Sequence, residues 1–214
     1  MILVLDNEIK PDYRILGPEI ARHLPDAEYY VIVDDPDHPP VDQFDGVVLS
    51  GSTDSVYDDH DEWFDVELEL IDQCLDEEIP LLGVCYGHQI VNYALGGRIE
   101  EDRRRATFVE MIEYDQSDEG VLDGVDPVVP VLHGDLVTEL GEGMRSVART
   151  RYDDNFCSRH RDAPVWTVQF HPEFTEGISD GVSDWNPGDH SFDEVNTPRV
   201  FDNFARHCDI VENE

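Results

Sequence analysis

Lysine is almost missing from this chain: Lys10 is the only one, and the other basic residues are all arginine. Lys and Arg together number 14 against 50 Asp and Glu, for a net charge of −36. Such a surface repels polyanions, which argues against nucleic acid and anionic membrane as partners. Cysteine is also scarce. Cys74, Cys85, Cys157 and Cys208 include no C-x-x-C pair, so neither a disulfide framework nor a zinc ribbon is indicated. The histidines are scattered, and nothing in the sequence calls for a metal or another cofactor. No apolar run approaches the roughly 20 residues of a membrane span. The first residues, Met1-Ile2-Leu3-Val4-Leu5-Asp6, lack the basic start and cleavage site of a signal peptide. The expectation is a cytoplasmic protein.

What is present is enough for a full-sized core: 214 residues, 40% of them apolar. The acidic residues are spread along the whole chain among good strand and helix patterns, so disorder explains them poorly. A small, well-behaved domain carries a net charge of roughly 2–8 in magnitude. The excess here reads as adaptation to high salt, where the Debye length falls to about 3 Å at 1 M and the repulsion is screened.

Strand-like runs alternate with helical ones. Strands are expected at Ile2–Leu5, Tyr29–Val33, Phe44–Leu49 and Leu81–Val84, and helices at Ile15–His23, Trp63–Glu77 and His88–Leu95. Short connections in this order imply a mostly parallel central sheet with helices on both faces, the flavodoxin-like three-layer α/β arrangement. Phe108–Tyr114, Val128–Leu132 and Ser146–Thr150 read as shorter strands, and Val165–Phe170 as another that runs into His171-Pro172-Glu173. Ile178–Asn196 is polar and rich in turn residues, hence a loop. Val200–Cys208 reads as a closing helix with Thr197 as its cap and Pro198 in its first turn. The expected organisation is one domain over 1–177 and an extension over 178–214 packed on it.

The most informative segment is Gly83-Val84-Cys85-Tyr86-Gly87. It follows an apolar strand and precedes a helix, the nucleophile-elbow pattern G-x-C-x-G. Glycines permit a sharp turn, and a helix N-terminus aimed at the sulfur favours the thiolate. A thiol nucleophile needs a base, and the base an orienting group. His171 and Glu173, projecting from one proline-restrained turn, supply such a pair. Strand ends on one edge of a parallel sheet would let them meet Cys85. An oxyanion hole needs two backbone donors; the amide of Tyr86 and one from the Gly51-Ser52 loop are the candidates.

Each feature alone has a plainer reading. G-x-C-x-G also fits a packing turn around an inert buried thiol, and His-Pro-Glu triplets occur in surface turns. His88 reads better as a packed histidine than as a ligand. His133 and Asp135 fit ordinary turn residues, Cys74 and Cys208 buried packers, and Tyr57, Trp63 and Phe64 the core. Arg103, Arg104 and Arg105 fit a solvated face with local ion pairs.

The combination is more specific. Gly-Val-Cys-Tyr-Gly-His-Gln at 83–89, the distal Val-Gln-Phe-His-Pro-Glu-Phe at 168–174 and the earlier Leu-Ser-Gly-Ser loop at 49–52 resemble the class I (triad-type) glutamine amidotransferases. Leu132-His133-Gly134-Asp135 and Asp54-Ser55-Val56-Tyr57 resemble segments of the glutaminase unit of GMP synthase. The resemblance covers about residues 1–177. It implies that Cys85 attacks the side-chain amide of L-glutamine, with His171 as base and Glu173 as its support. It implies an oxyanion held by the amides of Tyr86 and Ser52, a γ-glutamyl thioester, and release of glutamate and ammonia. Gly51, Gln89, Gly134 and Asp135 would help hold the substrate. Two departures stand out: Ser52 replaces the usual second glycine, and no synthetase segment is seen. The implied partner is therefore a separate ammonia-accepting synthetase subunit. The alternatives are a stand-alone γ-glutamyl hydrolase or peptidase and a non-catalytic binding module of the same fold.

Overall fold

The computed structural model describes residues 1–117 and 120–209; the last five positions of the expected extension, 210–214, lie outside the described residues. Ten strands run in chain order: β1 (Ile2–Asp6), β2 (Ala27–Val31), β3 (Gly46–Leu49), β4 (Leu81–Val84), β5 (Arg98–Glu110), β6 (Glu113–Tyr114), β7 (Val128–Glu139), β8 (Met144–Arg149), β9 (Cys157–His160) and β10 (Val165–Val168). The helices are α1 (Leu16–His23), α2 (Glu62–Asp76), α3 (Tyr86–Ala94), α4 (Glu176–Ser179) and α5 (Arg199–His207). Eight strands form one sheet in the order β2-β1-β3-β4-β10-β9-β8-β6. The first five of these are mutually parallel, and β9, β8 and β6 continue it antiparallel.

The parallel strands are apolar on both sides because both sides are covered. Ile2 and Val4 of β1 pack with Ile20 of α1 and with Phe201 and Phe204 of α5. Leu3 and Leu5 of the same strand pack on the other face with Leu70 and Ile71 of α2 and Ile90 of α3. Val48 and Val47 of β3 divide in the same way. Each such side chain, fully buried, contributes roughly 1.5–3 kcal/mol. The three-layer α/β arrangement is thus dictated by strand alternation meeting amphipathic helices on two sides. No helix among the described residues is long and apolar enough to cross a membrane.

Several elements depart from expectation. The second strand begins at Ala27, because Ile2 of β1 sets its register against Ala27. Two strands in the middle are longer than their apolar residues suggest. β5 begins at Arg98, ten positions before Phe108, and pairs with β7 in a separate two-stranded ribbon. Only one side of that ribbon packs inward, so charged residues are tolerated along the other. β9, Cys-Ser-Arg-His, carries little strand signal, yet it is hydrogen-bonded to β10 on one side and β8 on the other.

The closing helix starts at Arg199, two residues after Thr197, with Pro198 at its N-cap position, and the Thr197 hydroxyl makes no cap. That hydroxyl donates instead to the carbonyl of Pro172, at 3.1 Å, tying the helix to the His171–Glu173 turn. The polar stretch after Ile178 is mostly loop, but it is anchored. Trp185 and Phe192 pack their rings against Phe108 of β5 and against Phe174, the residue after Glu173.

Candidate active site

Cys85 stands between β4 and α3 with φ 54° and ψ −100°. A non-glycine residue rarely holds a positive φ, and the strain is of order 1–3 kcal/mol. The turn itself is fixed by a hydrogen bond from the Cys85 amide to Val168 O on β10, at 2.8 Å. The flanking glycines serve close approach more than turning, since neither has a positive φ. A Cβ on Gly83 would lie 2.4 Å from the carbonyl oxygen of Gly87, and one on Gly87 would lie 2.4 Å from that of Leu49. The helix therefore begins directly at Tyr86, two residues before His88, and seats its first turn on β4 and β3.

β10 lies beside β4, so the chain leaving β10 delivers His171 to the same edge of the sheet as Cys85. His171 and Glu173 are both buried, and Nδ1 of His171 donates to Oε1 of Glu173 at 2.7 Å. This bond assigns the imidazole's other nitrogen, Nε2, to the side of the sulfur. Nε2 has no hydrogen-bond partner at ordinary geometry. Burial opposes protonation of His171, but negative charge at Cys85 and Glu173 outweighs it and holds the group well above the usual histidine range. The thiol also has polar company: the Gln169 amide donates toward Sγ at 3.6 Å, and Leu132 O lies 3.9 Å from it.

Gly51 and Ser52, at the C-terminal end of β3, face this group. Neither the Ser52 nor the Tyr86 amide donates a hydrogen bond among the described residues. Ser52 is not among the residues with positive φ, so the position does not need a glycine's backbone freedom. Gly51 does need to be glycine, because a Cβ there would stand 2.9 Å from Cε1 of His171.

A cavity of about 680 Å³ opens over the sulfur and is lined by Gly51, Ser52, Cys85, Gln89, Gly134, Asp135 and His171, among others. Tyr86 and Glu173 stand behind that lining. His133, Gly134 and Asp135 lie within β7, not in a turn. Asp135 pairs in register with Glu101, next to a bulge that contains Arg103 and Arg104. The carboxylate of Asp135 accepts the hydroxyls of Ser55 at 2.6 Å and Tyr57 at 2.7 Å. Tyr57 is therefore a rim residue and not core; its ring is exposed, and burial of its hydroxyl end together with Asp135's charge pushes the phenol up to about 12. Gln89 reaches both Asp135 O and Gln169, at 3.5 and 3.3 Å. His133 is neutral at pH 7, held down to about 4 by burial. Its Nδ1–H donates to Asp135 O, and its Nε2 accepts from Tyr152.

The remaining candidates have structural surroundings. His88 is packed, with Nδ1 2.7 Å from Thr167 Oγ1, and burial lowers it to about 3. Cys74 and Cys208 are buried, as are Trp63 and Phe64. Arg104 pairs with Asp184, and Arg105 pairs with Asp102 while stacking on Tyr152. Ser55, Gln169, Asn7 and Glu8 were not marked by the sequence as site residues. Gln169 lies inside the Val-Gln-Phe-His-Pro-Glu motif and Ser55 inside Asp-Ser-Val-Tyr, so their neighbourhood was visible though their contacts were not.

Fold and cavity define an α/β protein with a cysteine elbow at the C-terminal edge of a parallel sheet. The model of the class-I glutamine amidotransferase family matches residues 14–182, and the chain belongs to that family. It is 38% identical over 130 residues to the glutamine-hydrolyzing GMP synthase of Porphyromonas gingivalis strain W83, covering 60% of this chain and 24% of that protein. The GMP synthase of Bacillus subtilis strain 168 is 34% identical over 129 residues, with the same coverage of 60% and 24%. The chain thus spans about a quarter of the length of these relatives. Among solved structures, the glutamine amidotransferase of Thermotoga maritima aligns with a TM-score of 0.70 at 18% identity, over 98% of this chain and 92% of that one. The glutamine amidotransferase of Methylobacillus flagellatus aligns at 0.70 and 18%, over 100% and 96%.

Proposed function

We propose that the chain hydrolyses the side-chain amide of L-glutamine through a γ-glutamyl thioester on Cys85 and supplies the ammonia to a separate synthetase. The observation that carries this reading is the meeting, at one cavity wall, of a strained Cys85, His171 backed by Glu173, and two unengaged amides, Ser52 in the lining and Tyr86 behind it. The sulfur attacks the amide carbon, and the carbonyl oxygen becomes an oxyanion held by the two amides. His171 takes the thiol proton as the sulfur attacks and gives it to the departing nitrogen as the C–N bond breaks, and ammonia leaves. Water then loses a proton to His171 and attacks the thioester, releasing glutamate and restoring the thiol. Glu173 keeps Nδ1 protonated and orients the ring. Asp135, Gly134 and Gln89, which line the same cavity as Cys85, hold the α-amino and carboxylate groups of the substrate, with Gly51 beside the reacting centre. That the matched relatives are named as glutamine-hydrolyzing GMP synthases, four times the length of the matched part, supports a GMP synthase-like division of labour.

The size of the cavity favours a second reading alongside the first. At about 680 Å³ it has room for more than a glutamine, so a stand-alone hydrolase acting on larger γ-glutamyl amides fits the same chemistry. The test is glutamate release from L-glutamine and from γ-glutamyl peptides by the isolated chain in molar KCl, beside Cys85→Ala. Release from glutamine that depends on Cys85 supports the first reading, and strong preference for peptides supports the second. A Cys85→Ala protein as active as the parent would end both.

A further inference from the structure

The two residues that follow β1 reach across to the loop after β3. The Asn7 amide donates to Ser50 Oγ at 3.0 Å, and its side-chain Nδ2 donates to Ser50 O at 3.3 Å. The next residue holds the other end of the loop. Glu8 Oε2 accepts the Thr53 amide at 2.8 Å, while Oε1 accepts the Thr53 hydroxyl at 2.7 Å and the Lys10 amide at 2.8 Å. Both side chains are buried, Asn7 fully and Glu8 to within 6%. Gly51 and Ser52 are thus pinned on both flanks, while the Ser52 amide between the pins stays unengaged. The carbonyl of Ser50 also accepts the Gly87 amide at 3.1 Å, which joins this loop to the first turn of α3 beside the Tyr86 amide.

A buried carboxylate is costly unless hydrogen bonds satisfy it. Glu8 meets that demand with three donors from its own chain, so its oxygens are engaged in holding backbone and not in contacting a ligand. We propose that Asn7 and Glu8 are positioning residues, fixing the Ser52 amide at the separation from the Tyr86 amide that a tetrahedral oxyanion requires. The proposal rests on the thioester reading above. It also accounts for Ser52 standing where a glycine is usual: the amide is placed by its flanks and not by its own backbone freedom.

The test compares two reactions of Cys85 in the full chain. Acylation by γ-glutamyl hydroxamate, followed by intact mass, passes through an oxyanion. Alkylation by iodoacetamide displaces iodide and forms none. Glu8→Ala is expected to slow acylation about 10²-fold, the scale of losing one oxyanion donor, with alkylation and KM unchanged. Glu8→Gln, which keeps an acceptor for the Thr53 amide, is expected to recover most of the rate. Should Glu8→Ala not fold, Thr53→Val serves, removing the 2.7 Å bond alone; it is expected to slow acylation to a lesser degree and leave alkylation untouched. Unchanged acylation, or acylation and alkylation falling together, would overturn the positioning role. Wild-type protein whose Cys85 alkylates but never acylates would overturn the thioester reading itself, and the positioning role with it.

Discussion

The α-carbon of Gly51 lies against the imidazole of His171, so close that a methyl group there would stand 2.9 Å from Cε1 and 3.6 Å from Cβ of Cys85. The contact constrains three things at once: the ring's position, the loop's path and the approach of a substrate carbonyl to the sulfur. Gly51→Ala must displace the ring or the loop. Displacements near 1 Å in a reacting group cost about 10²-fold in rate. The expected outcome is a loss of that order in kcat with little change in melting temperature, because the methyl group meets a side chain at the edge of a cavity and not a packed core. Wild-type kcat in Gly51→Ala would mean that the ring is not held where the chemistry needs it.

Cys85 offers a second prediction, from its backbone. At φ 54° and ψ −100° the residue is strained, and the strain is removed by glycine but not by alanine. Both substitutions are expected to abolish turnover. Cys85→Gly is nevertheless expected to be more stable than Cys85→Ala by about 1 kcal/mol, within the range for such strain, although glycine ordinarily destabilises by its entropy. Urea unfolding of the two inactive variants in molar KCl measures the difference. A more stable alanine variant would show that the elbow is not strained in solution.

These local facts explain what the sequence could and could not disclose. That Cys85 and the His171–Glu173 pair would come together was legible because each lies in a short contiguous motif at a strand end. A mostly parallel sheet covered on both faces followed from alternating strands and helices, whereas the strand order that sets β10 beside β4 came only with the fold. The partners of Asp135 were not legible, because Ser55 and Tyr57 lie 80 and 78 positions away in the chain and only the fold closes that distance. Tyr57 looked like core because an aromatic residue near an amphipathic helix usually is. β5 was foreshortened because a two-stranded ribbon, open to water on one side, needs few apolar residues. Thr197 has the right chemistry for a helix cap, but a buried carbonyl at Pro172 is the stronger claimant on its hydroxyl.

Glu67 makes folding sensitive to pH in a window set by one carboxyl group. It is fully buried on α2, and neither oxygen has a hydrogen-bond partner at ordinary geometry. Burial pushes it from 4.5 up to about 8, with Asn7 moderating the rise. The unfolded chain therefore loses this proton near pH 4.5, while the folded chain keeps it until about pH 8. Its contribution to stability is fully present below the first value and declines through the interval, at about 1.4 kcal/mol per pH unit, to a total of order 5 kcal/mol. Glu67→Gln is the same size and cannot ionise. The difference in unfolding free energy between variant and parent is expected to widen in the variant's favour from pH 5 to pH 8. A constant difference would mean that Glu67 is already ionised, or already solvated, in the folded chain.

The net charge of −36 makes the last prediction. Arginine pairs satisfy part of it, as at Arg14–Asp34, Arg104–Asp184 and Arg149–Glu113, but the 14 basic residues cannot meet 50 acids. Around the start of α2, Asp58, Asp59, Asp61, Glu62 and Asp65 are all exposed and crowd one another. Exposed charges repel over about 10 Å at 0.1 M salt and only about 3 Å at 1 M. The folded state concentrates these charges and the unfolded state spreads them, so added salt favours folding. The melting temperature is expected to climb steadily with KCl, and the chain to lose structure below roughly a few tenths molar, where screening lengthens again. NaCl should act as KCl does at equal ionic strength, because the effect needs screening and no particular cation. A melting temperature indifferent to KCl would show that the acidic surface is tolerated without screening, and the assignment to a high-salt setting would fall.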